Sequence, residues 1–152
     1  MIVRKFKKED LSQVLELCRE VRQYHIDILG GYFAKQDDEL EKIGFLETLT
    51  NDKIVSFVAE YNNKIVGYIL GEFKEAPYLI NSQFAHISNF GVTQNLRNSG
   101  IGKRLMDTFC NLCKKQDIKE IRLGVYNQNT TAYKFYENYG FKPLEQKMTL
   151  EV

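Results

Sequence analysis

The chain carries almost no net charge: 21 Lys and Arg stand against 20 Asp and Glu, leaving a formal +1. With both signs interspersed it offers no broad basic field, so nucleic acid is not an implied partner. A long apolar run is also missing. Met1 is followed by Arg4, Lys5, Lys7, Lys8, Glu9 and Asp10 rather than by an apolar signal core. No segment is long enough to span a bilayer, which predicts a cytoplasmic protein with no membrane partner. There are only two prolines, no repeats and no low-complexity stretch. Residues 1–152 therefore read as one domain of common size, able to bury a core without disulfides or metals.

Cysteine is scarce as well. Cys18, Cys110 and Cys113 make an odd set in a chain with no export signal, so free thiols are expected. Cys110-Asn-Leu-Cys113 has C-x-x-C spacing. It falls, however, in a helical pattern where Ile101, Leu105, Phe109, Leu112 and Cys113 share a core-facing side, and no second ligand pair follows at zinc-site spacing. Core cysteines and no metal site are expected.

Periodicity supplies the elements. Ile2 to Phe6 alternates apolar and basic residues as a strand, and Lys8-Glu-Asp10 opens an amphipathic helix through Val14, Leu17, Cys18 and Val21 to about Leu29, where Gly30-Gly31 breaks it. Tyr32-Phe33 and a charged run from Lys35 to Lys42 follow, then a helical stretch near Leu40 to Thr50. Ser56 to Tyr61 and Lys64 to Phe73 form a hairpin around Asn62-Asn63, a pair suited to positive φ, and Gly67 suggests a bulge or a close approach. A loop from Glu75 to Phe84, with Pro77, leads to a strand at Ala85 to Val92, a helix to about Lys115 and a strand at Ile118 to Tyr126. A helix from Thr130 to Tyr139 comes next, and paired strands at Phe141 to Leu144 and Lys147 to Glu151 end the chain. The order β-α-α-β-β-β-α-β-α-β-β predicts an α/β (mixed α+β) fold: one mixed, mostly antiparallel sheet of about seven strands with helices on both faces.

Between the Val92 strand and its helix lies Arg97-Asn98-Ser99-Gly100-Ile101-Gly102-Lys103, with R-x-x-G-x-G spacing. Glycine lets backbone come close to a ligand, and the first N–H groups of a helix lack intrahelical partners, so the segment is a candidate anion site, with pyrophosphate the obvious anion. A P-loop would need Gly where Arg97 stands and Ser or Thr where Arg104 stands. The dinucleotide fingerprint would need a third glycine at Leu105. A second motif follows about thirty residues on, Asn129-Thr-Thr-Ala132-Tyr-Lys-Phe135-Tyr136, closed by Gly140-Phe141. Asn129 suits a helix N-cap, Ala132, Phe135 and Tyr136 recur along one face, and Gly140 suits the left-handed position that ends a helix.

In this order and spacing the two motifs resemble the acyl-CoA loop and the second signature of the GNAT N-acetyltransferase superfamily, over roughly Ile54 to Val152. The resemblance implies a single N-acetyltransferase domain with acetyl-CoA as cosubstrate and no metal. It implies that the Val92 and Ile118 strands splay apart, with Phe90, Gly91 and Val92 holding the pantetheine arm. Backbone from Asn98 through Ser99, Gly100, Ile101 and Gly102 to Lys103 would take the pyrophosphate with Arg97 beside it. Asn129 would bond the arm or a nearby water, with Ala132 on the same helix. Tyr136 matches the family's acid. His86 takes the position where some members carry the base, six residues before the valine, although a strand-start histidine satisfied by hydrogen bonds accounts for it equally. The strand period places Phe90, Ser88 and His86 on one face. The acceptor region spans about Arg22 to Thr50 and Glu75 to Phe84. There Tyr24, His25, Tyr32 and Phe33 could line an aromatic pocket and Asp37, Asp38 and Glu39 could attract a cation; buried aromatics and a solvated acidic helix start are the plainer account. The expected function is acetyl transfer to a primary amine of a small molecule by direct attack on the thioester, in a monomer or homodimer. The alternatives are a protein acetyltransferase acting on lysine or an N-terminus, and a non-catalytic acyl-CoA-binding regulatory module.

Overall fold

The computed structural model describes residues 1–33 and 37–152; Lys35, the start of the charged run, lies outside the described residues. The elements are β1 (Ile2–Lys5), α1 (Leu11–Leu29), α2 (Glu39–Glu47), β2 (Ile54–Tyr61), β3 (Lys64–Glu75), β4 (Gln83–Val92), α3 (Ile101–Lys115), β5 (Ile121–Leu123) and α4 (Thr130–Tyr139). They build one sheet in the order β1-β2-β3-β4-β5. Its pairs are antiparallel except the last, where β4 and β5 run parallel across the α3 crossover.

Strand alternation divides the core between the two faces of this sheet. Along β3, Tyr68 and Leu70 pack with Val14, Leu17 and Cys18 of α1 and Phe45 of α2. Ile69, between them, packs with Leu105, Met106, Phe109 and Cys113 of α3. Cys18 and Cys113 are thus core residues, as expected, and burial pushes both thiols up to about 12. Arg4 of β1 pins the start of α1, donating to both Asp10 oxygens at 2.7 and 2.8 Å and to Glu60 of β2 at 2.8 Å. The β2–β3 turn uses Asn62 and Asn63 at φ 49° and 60°, as their sequence suggests.

Both expectations for Gly67 hold. The β2–β3 register shifts beside it, and a Cβ there would stand 3.1 Å from the Gly91 carbonyl oxygen and 3.1 Å from the Leu105 side chain. The chain's last quarter differs from the expected pattern. β5 covers only Ile121–Leu123 of the anticipated Ile118–Tyr126 strand, and residues 141–152 form no strand, so among the described residues the sheet has five strands rather than seven. The apolar alternation of Met148 and Leu150 reads as a strand locally, but both side chains remain exposed, with no strand among the described residues paired to their backbone.

Gly71 of β3 marks how closely α3 lies on the sheet: a Cβ there would sit 2.6 Å from the Phe109 ring and 3.0 Å from the His86 carbonyl oxygen. Gly71→Ala should destabilise the fold by about 1–3 kcal/mol through overpacking. The same substitution should cost less in a Phe109→Leu background, because contacting residues couple. Urea unfolding of the four proteins measures this, and equal costs in both backgrounds would show that the Phe109 ring is not what the new methyl group meets.

Candidate active site

The parallel pairing of β4 with β5 begins at Ala85–Ile121 and stops at Ile87–Leu123. On β4 the next residue, Ser88, is extra: Leu70 of β3 pairs with Asn89 and Gly71 with Ile87. A bulge bends its strand and increases the local twist, and this bend falls at the first residue past the last β5 pair. Beyond it Ser88 to Val92 and Gly124 to Tyr126 face one another across a cleft of about 710 Å³. Val21, Tyr24 and His25 of α1 form one wall, and α4 with the N-terminal turn of α3 forms the other.

The glycine loop closes one end. Gly100 caps α3 at φ +84°, and the first helical bond runs from Arg104 N–H to the Gly100 carbonyl at 3.1 Å. The N–H groups of Ile101, Gly102 and Lys103 therefore precede the hydrogen-bonded part of the helix and sit at its positive end. A Cβ on Gly100 would meet nothing within 4 Å, so its left-handed backbone is what calls for glycine there. Gly102 serves a different purpose: a Cβ would press on the rings of Phe90 at 3.3 Å and Phe135 at 3.4 Å, so it seats α3 against the aromatic floor. The charged side chains of the lining are Arg97, Lys103 and Lys134, all cationic. Arg97 is held by α1, with its guanidinium 5.1 Å over the Tyr24 ring and 3.8 Å from Glu20, while its Nε donates to the Val92 carbonyl at 3.3 Å. Lys103 pairs with Asp107 at 2.8 Å.

α4 supplies the facing wall. Asn129 is its N-cap as expected, its Oδ1 accepting the Ala132 N–H at 3.1 Å, and Gly140 ends the helix at φ +115°. Tyr136 lies against Phe90 at 6.2 Å between ring centroids, Phe135 at 5.5 Å and Phe141 at 5.7 Å. Burial in this aromatic setting pushes its phenol up to about 12, so it carries its proton throughout the physiological range.

Of the residues singled out from sequence, the cleft brings together Phe90, Gly91, Val92, Arg97, Asn98, Gly100, Gly102, Lys103, Asn129, Ala132 and Tyr136. Ser99 is turned back to donate to the Leu96 carbonyl, and the Ile101 side chain is buried in the core; each reaches the cleft only through the loop backbone. His86 does not line the cleft. It lies between Ala85 and Ile87, both packed under α3, and so points to the opposite face, with its Nδ1 3.6 Å from Glu72. The expectation that His86 and Phe90 share a face is corrected by the bulge, since the extra residue at Ser88 inverts the alternation between them.

Tyr24 and His25 do line the cleft, and Tyr32 and Phe33 join them through a cluster centred on Tyr126, with centroids 5.6–5.9 Å apart. The acidic helix start is otherwise engaged: Asp38 binds Arg19 at 2.7 Å and Arg22 at 3.3 Å. The sequence did not single out Asn89 as a held residue. Its Oδ1 accepts from the fully buried Tyr68 hydroxyl at 2.9 Å, a contact between neighbouring strands that no local pattern announces.

The chain matches the family model described as Acetyltransferase (GNAT) family over residues 13–141. It is 31% identical to N-alpha-acetyltransferase 60 of Danio rerio over 61% of this chain and 45% of that protein. It is 24% identical to spermidine N(1)-acetyltransferase of Thermoplasma acidophilum over 92% of this chain and 87% of that one. The chain thus spans about half the length of the first relative and most of the second. In structure it resembles a predicted acetyltransferase of Clostridium acetobutylicum solved with acetyl-CoA, at a TM-score of 0.78 and 25% identity over 99% of this chain and 95% of that chain.

Proposed function

Because this chain belongs to the acetyltransferase (GNAT) family, we propose that it transfers the acetyl group of acetyl-CoA to a primary amine of a small molecule, by direct attack of the amine on the thioester. The observation that carries the reading is that one cleft joins the three parts this reaction needs: free helix N–H groups with cations at one end, unpaired β4 backbone along one side, and a buried phenol on the other. The α3 N-terminus and Arg97 would take the pyrophosphate, Ser88 to Val92 would pair with the amide-bearing arm as an added strand would, and the thioester would lie near Tyr136. The similarity to spermidine N(1)-acetyltransferase supports a small-molecule acceptor. The similarity to N-alpha-acetyltransferase 60 supports a second reading, a peptide N-terminus. Thiol release from acetyl-CoA, measured across polyamines, amino acids, aminoglycosides and peptides, separates the two and fails for all if the cleft is not catalytic.

The tetrahedral intermediate collapses by expelling a thiolate whose ordinary pKa is about 8.5. A phenol held near 12 is a much weaker acid than that thiol, so complete transfer from Tyr136 is uphill. Its contribution is a hydrogen bond that strengthens as charge develops on sulfur, a stabilisation realised in the transition state. The amine must also lose a proton, since an alkyl amine with a pKa of about 10 arrives protonated. We assign that step to water between Ser88, Asn89 and bulk solvent rather than to His86, whose side chain does not line the cleft.

Gly100→Asp should abolish acetyl-CoA binding in a folded protein, because it sets a carboxylate where the anion binds and strains a left-handed residue. Calorimetry with CoA tests this, and unchanged affinity would overturn the loop assignment. Tyr136→Phe should lower kcat about 100-fold or more with little change in CoA affinity; a kcat near wild type with chemistry rate-limiting would reduce the residue to packing. His86→Ala should leave both the plateau and the acidic limb of the kcat/KM profile in place. Loss of that limb would restore the histidine as base.

A further inference from the structure

The Asn129 carboxamide is held at both ends. Its Oδ1 is committed to the Ala132 N–H at 3.1 Å, so its Nδ2 points away from α4 and lies 3.2 Å from Nε2 of His25 on α1. An amide nitrogen only donates. The His25 Nε2 must therefore accept, which places the ring proton on Nδ1 and requires a neutral imidazole. Both residues line the cleft, and Asn129 is only 7% exposed. The ring is fixed among Tyr126 at 5.9 Å, Tyr24 at 6.0 Å and Phe33 at 6.3 Å. A single hydrogen bond between residues 104 apart in sequence thus ties α1 to the start of α4, the two walls of the cleft.

We propose that His25 is a positioning residue for acetyl-CoA binding: as a neutral acceptor it latches the Asn129 carboxamide, and with it the first turn of α4, against α1. The inference rests on the acetyl-CoA reading of the cleft. The groups that face His25 are Tyr24 from its own helix, Tyr126 from the loop after β5 and Arg97 from the loop before α3. Among the described residues the charge that acts on the ring is the Arg97 cation. Protonation would turn the contact into two opposed donors beside that cation. Burial, and then Arg97, hold the imidazole below its ordinary 6.5. The latch is therefore fully present above pH 6.5 and is lost as pH falls through the lowered folded value.

The test is the Kd of CoA by calorimetry from pH 8 down to below the pH at which NMR shows the His25 ring protonating, for wild type, His25→Ala and His25→Gln, with melting curves confirming that each is folded. One neutral hydrogen bond predicts His25→Ala to bind about 2- to 12-fold more weakly at pH 8. That gap should close as the pH falls and wild type loses its own acceptor. The Gln variant supplies an acceptor that does not titrate, so it should bind about as wild type does at pH 8 and more tightly than wild type once the pH is below the lowered imidazole value. Titration of the ligand's own phosphate is common to all three proteins and cancels in these ratios. A wild-type-to-Ala ratio that is constant with pH, or equal to one throughout, overturns the latch while leaving the cofactor assignment intact. Failure of wild type to bind CoA at all overturns that assignment and the latch together.

Discussion

The end of hydrogen bonding between β4 and β5 at Ile87 and Leu123 is the constraint on which the rest of the site depends. A parallel sheet that stayed paired to its edge would satisfy these backbone groups internally and leave no cleft. Here the bulge at Ser88 bends β4 where its β5 partner ends, so unpaired backbone from two strands lines one opening. The helices that follow each strand inherit the separation: α3 begins at one end of the opening with its unbonded N–H groups, and α4 begins on the far side with its Asn129 cap.

An opening in a sheet is tolerable only if both faces are otherwise well packed. The α3 face carries Leu105, Met106 and Phe109, all fully buried, and the α1 and α2 face carries Val14, Phe45 and Tyr68, equally buried. Interiors packed this densely do not deform continuously. The cleft therefore keeps its shape through contacts that cross it or flank it: Tyr68 holding Asn89, Tyr24 under Arg97, Gly102 seated on Phe90 and Phe135, and His25 on Asn129. All four use a ring side chain as the fixed partner, a rigid group that places its neighbour at little entropic cost.

Charge follows the same geometry. Acidic side chains near the cleft are engaged elsewhere, with Glu20 beside Arg97 and Asp38 between two arginines. The cleft itself is left with cations at the end where helix N–H groups gather, which suits an anion and not a second cation at that end. Tyr136 is kept protonated by its dry aromatic surroundings rather than by any charge.

What the sequence determined by itself was whatever depends on neighbours in the chain. Alternation and helical period mark β1 through β4 and all four helices, Asn62-Asn63 marks its turn, and Gly100, Asn129 and Gly140 mark helix ends because each satisfies a local backbone requirement. The two motifs follow the same logic and supply two stretches of the cleft's lining, in the loop from Arg97 to Lys103 and in the helix that Asn129 opens. Tertiary structure decided what depends on partners distant in sequence. The bulge at Ser88 exists only relative to β3, and it reversed the face expected for His86. The strand pattern after Gly140 is present in the residues but pairs with no strand among the described residues, and the acidic start of α2 met arginines from α1. The tautomer of His25 follows from an asparagine 104 positions away, already committed at its other end. Register, pairing and hydrogen-bond direction are properties of two chain segments at once, and a linear pattern carries only one of them.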